Sequence, residues 1–106
     1  MNELVAAELD SKRPRLIDLC QSYGVATLEI FGSGTTDDWR PASSDFDFLV
    51  AFHAEPTKSL ADRYLGLAQE LERLFGRPVD LIRDQAIQNP YFRRAVDTTR
   101  RLIYAA

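Results

Sequence analysis

Ser44-Asp45-Phe46-Asp47-Phe48-Leu49-Val50-Ala51-Phe52 is the stretch on which the fold turns. Asp45 to Phe52 predicts a strand. Its first half alternates acid and aromatic. Its second half is a continuous apolar run, as expected deep in a sheet covered on both faces. Side chains at i and i+2 of a strand share a face, so Asp45 and Asp47 lie side by side. Without compensation they repel, and burial raises their pKa values. A divalent cation removes that penalty and prefers oxygen ligands.

Upstream, Val25 to Phe31 reads as a strand rich in β-branched and apolar residues. The turn-forming run Gly32-Ser33-Gly34-Thr35-Thr36-Asp37-Asp38 follows it. Glycine lets backbone approach a phosphate closely, and Ser33 adds a hydroxyl. Asn2 to Ser22 has helical spacing, but Pro14 leaves two short helices or one kinked helix open. Trp39 to Ser44 is irregular.

Downstream, Thr57 to Phe75 carries one apolar stripe through Leu60, Tyr64, Leu67, Leu71 and Phe75, closed by Gly76 and Pro78. Val79 to Ile82 is a short third strand with Asp80 between apolar neighbours. If it neighbours the second strand, Asp45, Asp47 and Asp80 converge. Three carboxylates can hold one or two Mg²⁺ ions about 3.5–4 Å apart, as phosphoryl transfer uses. Ala86 to Ala95 reads as a helix or turn interrupted by Pro90. Arg101 to Tyr104 reads as a last strand or a helix end. The expected class is α/β (α+β), a small mixed sheet flanked by helices in one domain over 1–106.

The bulk numbers set limits. Sixteen acidic against 13 basic residues give a net charge of −3, which speaks against gripping a long nucleic acid by its phosphates. One cysteine and one histidine exclude an internal disulfide and a Cys/His zinc site. Cys20 is expected as a packed thiol, and His53 as a surface residue at a strand end. Trp39 packs over the loop or meets a partner. Arg93, Arg94, Arg100 and Arg101 are expected to form a solvated face. No apolar run approaches a bilayer span, and no signal peptide is legible, so the default location is cytoplasmic with no membrane contact.

Phe31-Gly32-Ser33, Ser44-Asp45-Phe46-Asp47-Phe48-Leu49-Val50 and Arg77-Pro78-Val79-Asp80-Leu81-Ile82 together resemble the polymerase-β-type nucleotidyltransferase superfamily, and within it the minimal (MNT) group. The resemblance implies the polymerase-β-like fold. It implies that Gly32 and Ser33 hold nucleotide phosphates and that Asp45 and Asp47 bind Mg²⁺. It further implies that Asp80 completes the metal site and helps activate the acceptor hydroxyl. ATP is the expected substrate, its AMP moving to a hydroxyl. Members of the group often act as antitoxin to a HEPN-type helical toxin, so a HEPN-type partner or a homo-oligomer is expected to complete the cleft.

Two positions depart from the family pattern. Eleven residues separate Ser33 from Asp45, one more than usual. Where the family often has Arg-x-Arg-Gly, this chain has Gly34-Thr35-Thr36-Asp37. Two other classes stay open on sequence: a non-catalytic protein-binding antitoxin module, and a nucleotidyltransferase acting on a small molecule.

Overall fold

A computed structural model describes residues 1–55 and 57–106. The chain runs α1 (Glu3–Ser11), α2 (Arg13–Ser22), β1 (Val25–Phe31), a 3-10 turn (Gly32–Thr35), β2 (Phe46–Phe52), α3 (Leu60–Phe75), β3 (Val79–Arg83), a second 3-10 turn (Asp84–Ala86), α4 (Pro90–Thr99) and β4 (Arg101–Ala105). The sheet order is β3-β2-β1-β4. β1 pairs antiparallel with β2 and β4, and β2 pairs parallel with β3. The mixed α/β sheet flanked by helices matches the sequence expectation.

Pattern decides what each face meets. Phe46, Phe48 and Val50 point to one side of β2, joined by Leu28 and Ile30 of β1 and by Leu81 of β3. The apolar faces of α1, α2 and α3 cover that side through Val5, Leu9, Leu16, Cys20, Leu67, Leu71 and Phe75. On the opposite side Phe31, Leu49 and Val96 form a second, smaller cluster under α4. β2 is therefore covered on both faces, as its apolar run demands.

Local chemistry sets the boundaries. The N-terminal segment is two helices. The Asn2 side chain caps α1 by accepting from the amides of Leu4 and Val5, and Pro14 sits in the first turn of α2, where its missing N–H costs nothing. α3 begins at Leu60 and not at Thr57, because Ser59 caps it by accepting from the amide of Asp62. Gly76 ends it in the left-handed conformation, φ +64°. Pro90 does not interrupt a helix from Ala86; it opens α4, behind an Asn89 cap that accepts from the amides of Tyr91 and Phe92. Arg101 to Ala105 is a strand.

Both sheet edges are blunted by side chains. On β3, the amide of Val79 donates to Glu72, and the Leu81 carbonyl accepts the Tyr64 hydroxyl. On β4, the Ile103 carbonyl accepts from Arg13 at 3.0 Å. Edge groups engaged this way are poor templates for another strand.

Arg63 is the one cation buried in the core of the described residues, 4 % exposed. It donates to the carbonyls of Tyr23, Gly24 and His53 at 2.8–3.0 Å and lies over the Phe52 ring. It ties α3 to the α2–β1 turn and to the end of β2. Charged donors contribute about 1.5–3 kcal/mol each, far from additively, and three carbonyls would be orphaned together. Arg63→Ala should therefore lose about 3 kcal/mol, lowering the melting midpoint by roughly 15 °C for a domain of this size. Thermal unfolding followed by circular dichroism measures it; a drop of only a degree or two would show that the bonds contribute little.

Candidate active site

The end of β1 and the beginnings of β2 and β3 meet at one rim of the sheet. In the ladder Phe31 faces Asp47, and Asp47 in turn faces Asp80. Asp47 and Asp80 alternate with the residues of the large core, so they share the α4 side of the sheet with Leu49 and Ile82. Gly32 follows Phe31 directly. Its φ is +72°, a region that favours glycine, and a Cβ placed there would stand 2.7 Å from Asp47 Oδ2. Glycine at this point thus brings the loop backbone against the carboxylate, where any side chain would collide.

Asp45 lies one residue before β2, exposed to solvent. The sequence expectation put it inside the strand. Its carbonyl accepts the indole N–H of Trp39 at 3.3 Å. Trp39 is buried and stacked on Phe46, and Arg77 lies over both rings. Arg77 also donates to the carbonyls of Pro41 and Ser44 at 3.0 Å. This aromatic–guanidinium stack fixes the loop that delivers Asp45. Sequence reading named Trp39 without choosing its role and gave Arg77 none.

The three acids feel one another. Asp47 is half-buried, and its pKa is pushed up to about 6, first by desolvation, then by the charges of Asp80 and Asp45. Yet among the described residues no group of three or more His, Cys, Asp or Glu is gathered closely enough to hold a metal ion. The carboxylates share a rim and a field without forming a ready ligand cluster. Their donor chemistry, all carboxylate oxygen, and their mutual repulsion fit a hard divalent cation.

The loop after β1 is a turn, as its sequence suggests. It forms a 3-10 turn, Gly32–Thr35. The Thr35 hydroxyl donates to the Gly32 carbonyl and the Thr36 hydroxyl to the Ser33 carbonyl, at 2.8 and 3.1 Å. Asn2 donates to Thr36 and Gly34 carbonyls from the N-terminus. This loop carries hydroxyls that brace it.

Three other sequence expectations resolve here. Cys20 is buried, and burial pushes its thiol up to about 12, so it is an inert packed group. His53 is exposed at the end of β2. Arg94 and Arg101 are exposed, but Arg93 and Arg100 are not simply solvated. Arg100 bonds Glu29 at 2.6 Å and Asp97 at 2.7 Å, and Arg93 bonds Asp84 at 2.6 Å. The Arg93 hydrogen bond, aided by Arg100, holds the Asp84 carboxyl below its ordinary range. The network clamps α4 to the sheet.

A cavity of about 760 Å³ opens beside the site, lined by Tyr64, Ile82, Ile87 and Phe92 among others. Ile82 stands two residues along β3 from Asp80, and Phe92 meets Phe31 edge-on at 6.1 Å.

Comparison with known proteins agrees with this geometry. The family described as "Nucleotidyltransferase domain" matches residues 15–103. Two proteins of Methanocaldococcus jannaschii, each named "Putative protein adenylyltransferase", are 33 % identical over 79 residues, which is 74 % of this chain and 77 % and 76 % of theirs. A solved structure described as a "putative minimal nucleotidyltransferase" superposes with TM-score 0.69 at 29 % identity, covering 90 % of this chain and 92 % of that one. A chain from the complex of a tri-AMPylated Shewanella oneidensis HEPN toxin with MNT antitoxin shares the fold at TM-score 0.62 and 18 % identity, covering 92 % of this chain and 72 % of its own. With the sheet order, the Gly32–Asp47 contact and the Asp47–Asp80 register in place, the chain belongs to the nucleotidyltransferase domain family.

Proposed function

We propose that this protein transfers AMP from ATP to a hydroxyl on a partner protein, as the antitoxin of a HEPN-type helical toxin. The observation that carries the reading is Asp47, in register with Asp80 and close to Gly32, with Asp45 one residue before β2 at the same rim. The family supplies the nucleotidyl transfer. The relatives named for protein adenylylation, and the antitoxin complexes that share the fold, support a protein acceptor and a HEPN partner. A related complex solved with AMP-PNP supports the adenine nucleotide.

Asp45, Asp47 and Asp80 would hold Mg²⁺, two ions in the fullest arrangement. Bound there, the cations neutralise phosphate charge and lower the pKa of the acceptor hydroxyl. Ser33, with the backbone of the Gly32 turn, would orient the triphosphate. Asp80 is the exposed member of the in-register pair, so it is the acid an incoming hydroxyl reaches. The acceptor oxygen bonds to the α-phosphorus, the bond to the β-phosphate oxygen breaks, pyrophosphate leaves, and the hydroxyl proton passes to Asp80 or to water. The apolar cavity walled by Ile82, two residues along β3 from Asp80, is the candidate seat for the segment carrying that hydroxyl.

Asp47 makes the cation requirement measurable without turnover. At pH below about 4 its carboxyl is protonated folded and unfolded alike, and it contributes nothing. As pH rises from 3.8 through about 6, the unfolded chain gives up the proton that the fold retains, so stability drains away. The full penalty is present above pH 6. A shift of this size corresponds to at most about 3 kcal/mol, and solvent screening of a half-buried group reduces it to about 1. Asp47→Asn should therefore be the more stable protein at pH 7.5 without divalent cations, by roughly 5 °C in midpoint, with the difference vanishing near pH 4. Millimolar Mg²⁺ should raise the wild-type midpoint and leave the variant unmoved. Equal response of both proteins to Mg²⁺ would remove Asp47 from the metal site.

Activity is tested by incubating the chain with α-labelled ATP, Mg²⁺ and the HEPN-type helical protein proposed as its partner. Label should appear on the partner and be lost with Asp47→Ala. Neutralisation of the partner by both forms, with no label transferred, would leave a non-catalytic binding module as the better account.

A further inference from the structure

Thr99, the last residue of α4, reaches the nucleotide loop from the far end of the sequence. The Gly32 amide donates to the Thr99 hydroxyl oxygen at 2.9 Å, across 67 residues. The hydroxyl has one proton, and it is spent within the helix, donating to the carbonyl of Ala95 at 3.1 Å with Val96 at 3.4 Å. That fixes its lone pairs outward, toward Gly32. Gly32 is therefore fixed at its amide by Thr99, in a place where a Cβ would stand 2.7 Å from Asp47 Oδ2.

We infer that Thr99 is a positioning residue for nucleotide binding: it sets the left-handed Gly32 and thereby the aim of Ser33. The Gly32 N–H is not free for a phosphate oxygen, so the donors the loop offers begin at Ser33. This gives the chain a way to hold its phosphate loop that does not depend on basic side chains in the loop itself. α4 is itself clamped by Arg100 to Glu29 on β1, so the Thr99 hydroxyl is presented from a fixed base. The inference rests on the nucleotidyl-transfer reading for its consequence, though not for the contact itself.

The test pairs Thr99→Val, which keeps the shape and removes the hydroxyl, with Thr99→Ser, which keeps the hydroxyl. In Thr99→Val, hydrogen exchange at the Gly32 amide should quicken at least about tenfold, the equivalent of one lost hydrogen bond, while the Leu28 amide within β1 stays protected. The KM for ATP should rise about tenfold with kcat little changed, and Thr99→Ser should restore both readouts. An unchanged Gly32 amide in Thr99→Val would overturn the contact. A wild type that uses ATP alongside a Thr99→Val protein with the same KM would overturn the positioning role alone. A wild type that neither binds nor uses ATP would instead sink the functional reading, and the Gly32 exchange rate would still decide whether Thr99 holds the loop.

Discussion

Asp47 sits on a central strand, half-buried, facing a second carboxylate across a parallel ladder. That repulsion is the constraint around which the site is arranged. β2 has neighbours on both sides and apolar cover on both faces, so Asp47 cannot swing wholly into water. Burial first, and then the charges of Asp80 and Asp45, push its pKa up. The core must be strong enough to hold the strand in place regardless. Phe46 and Phe48, which flank Asp47, supply that strength through an aromatic cluster with Trp39 and Phe75. The same alternation that buries the two rings turns the acid to the other face. Packing and chemistry are thus two faces of one strand.

Much of this was legible in the sequence because it is written in short periods. Val25 to Phe31 forms the predicted strand residue for residue, since its composition and the glycine before it leave little choice. The stripe from Leu60 to Phe75 and the stop at Gly76 are likewise local signals. Errors fell where a cap outweighed a pattern. Ser59 moved the start of α3, and Asn89 with Pro90 turned a supposed break into a helix beginning. Asp45 was assigned to the strand by alternation alone, whereas the ladder begins at Phe46.

The site was legible in part. The acids and Gly32 could be listed, but the i, i+2 rule that gives Asp45 and Asp47 a common side needs a strand through Asp45, and β2 begins at Phe46. The register that puts Asp80 opposite Asp47, the left-handed Gly32 and the loop-bracing role of Thr35 and Thr36 needed three dimensions. Arg77 and Thr99 were invisible for a different reason. Each acts on backbone atoms tens of residues away, and a carbonyl or amide leaves no mark in the sequence of its partner. The arginine cluster misled for a related reason. Its exposed members, Arg94 and Arg101, look the same in sequence as Arg93 and Arg100, whose acidic partners Glu29, Asp84 and Asp97 come partly from distant segments.

The two sides of the sheet are held by different forces, and this bears on where the chemistry lies. Three helices are packed on one side by a continuous apolar core, which salt does not screen as it screens ion pairs. α4 buries far less, with Val96 its fully buried residue, and relies on Arg93 and Arg100 against Asp84, Asp97 and Glu29. Such half-exposed pairs are individually weak and screened by ions, but as a network joining Arg93 and Arg100 to three separate acids they fix direction. Direction is what the loop needs: the helix end must present one hydroxyl to one amide. The apolar side supplies rigidity to β2, and the polar side supplies aim to the turn at Gly32. The acids lie at the rim where these meet, so under the proposed function substrate and cation bring charge there without breaching the core.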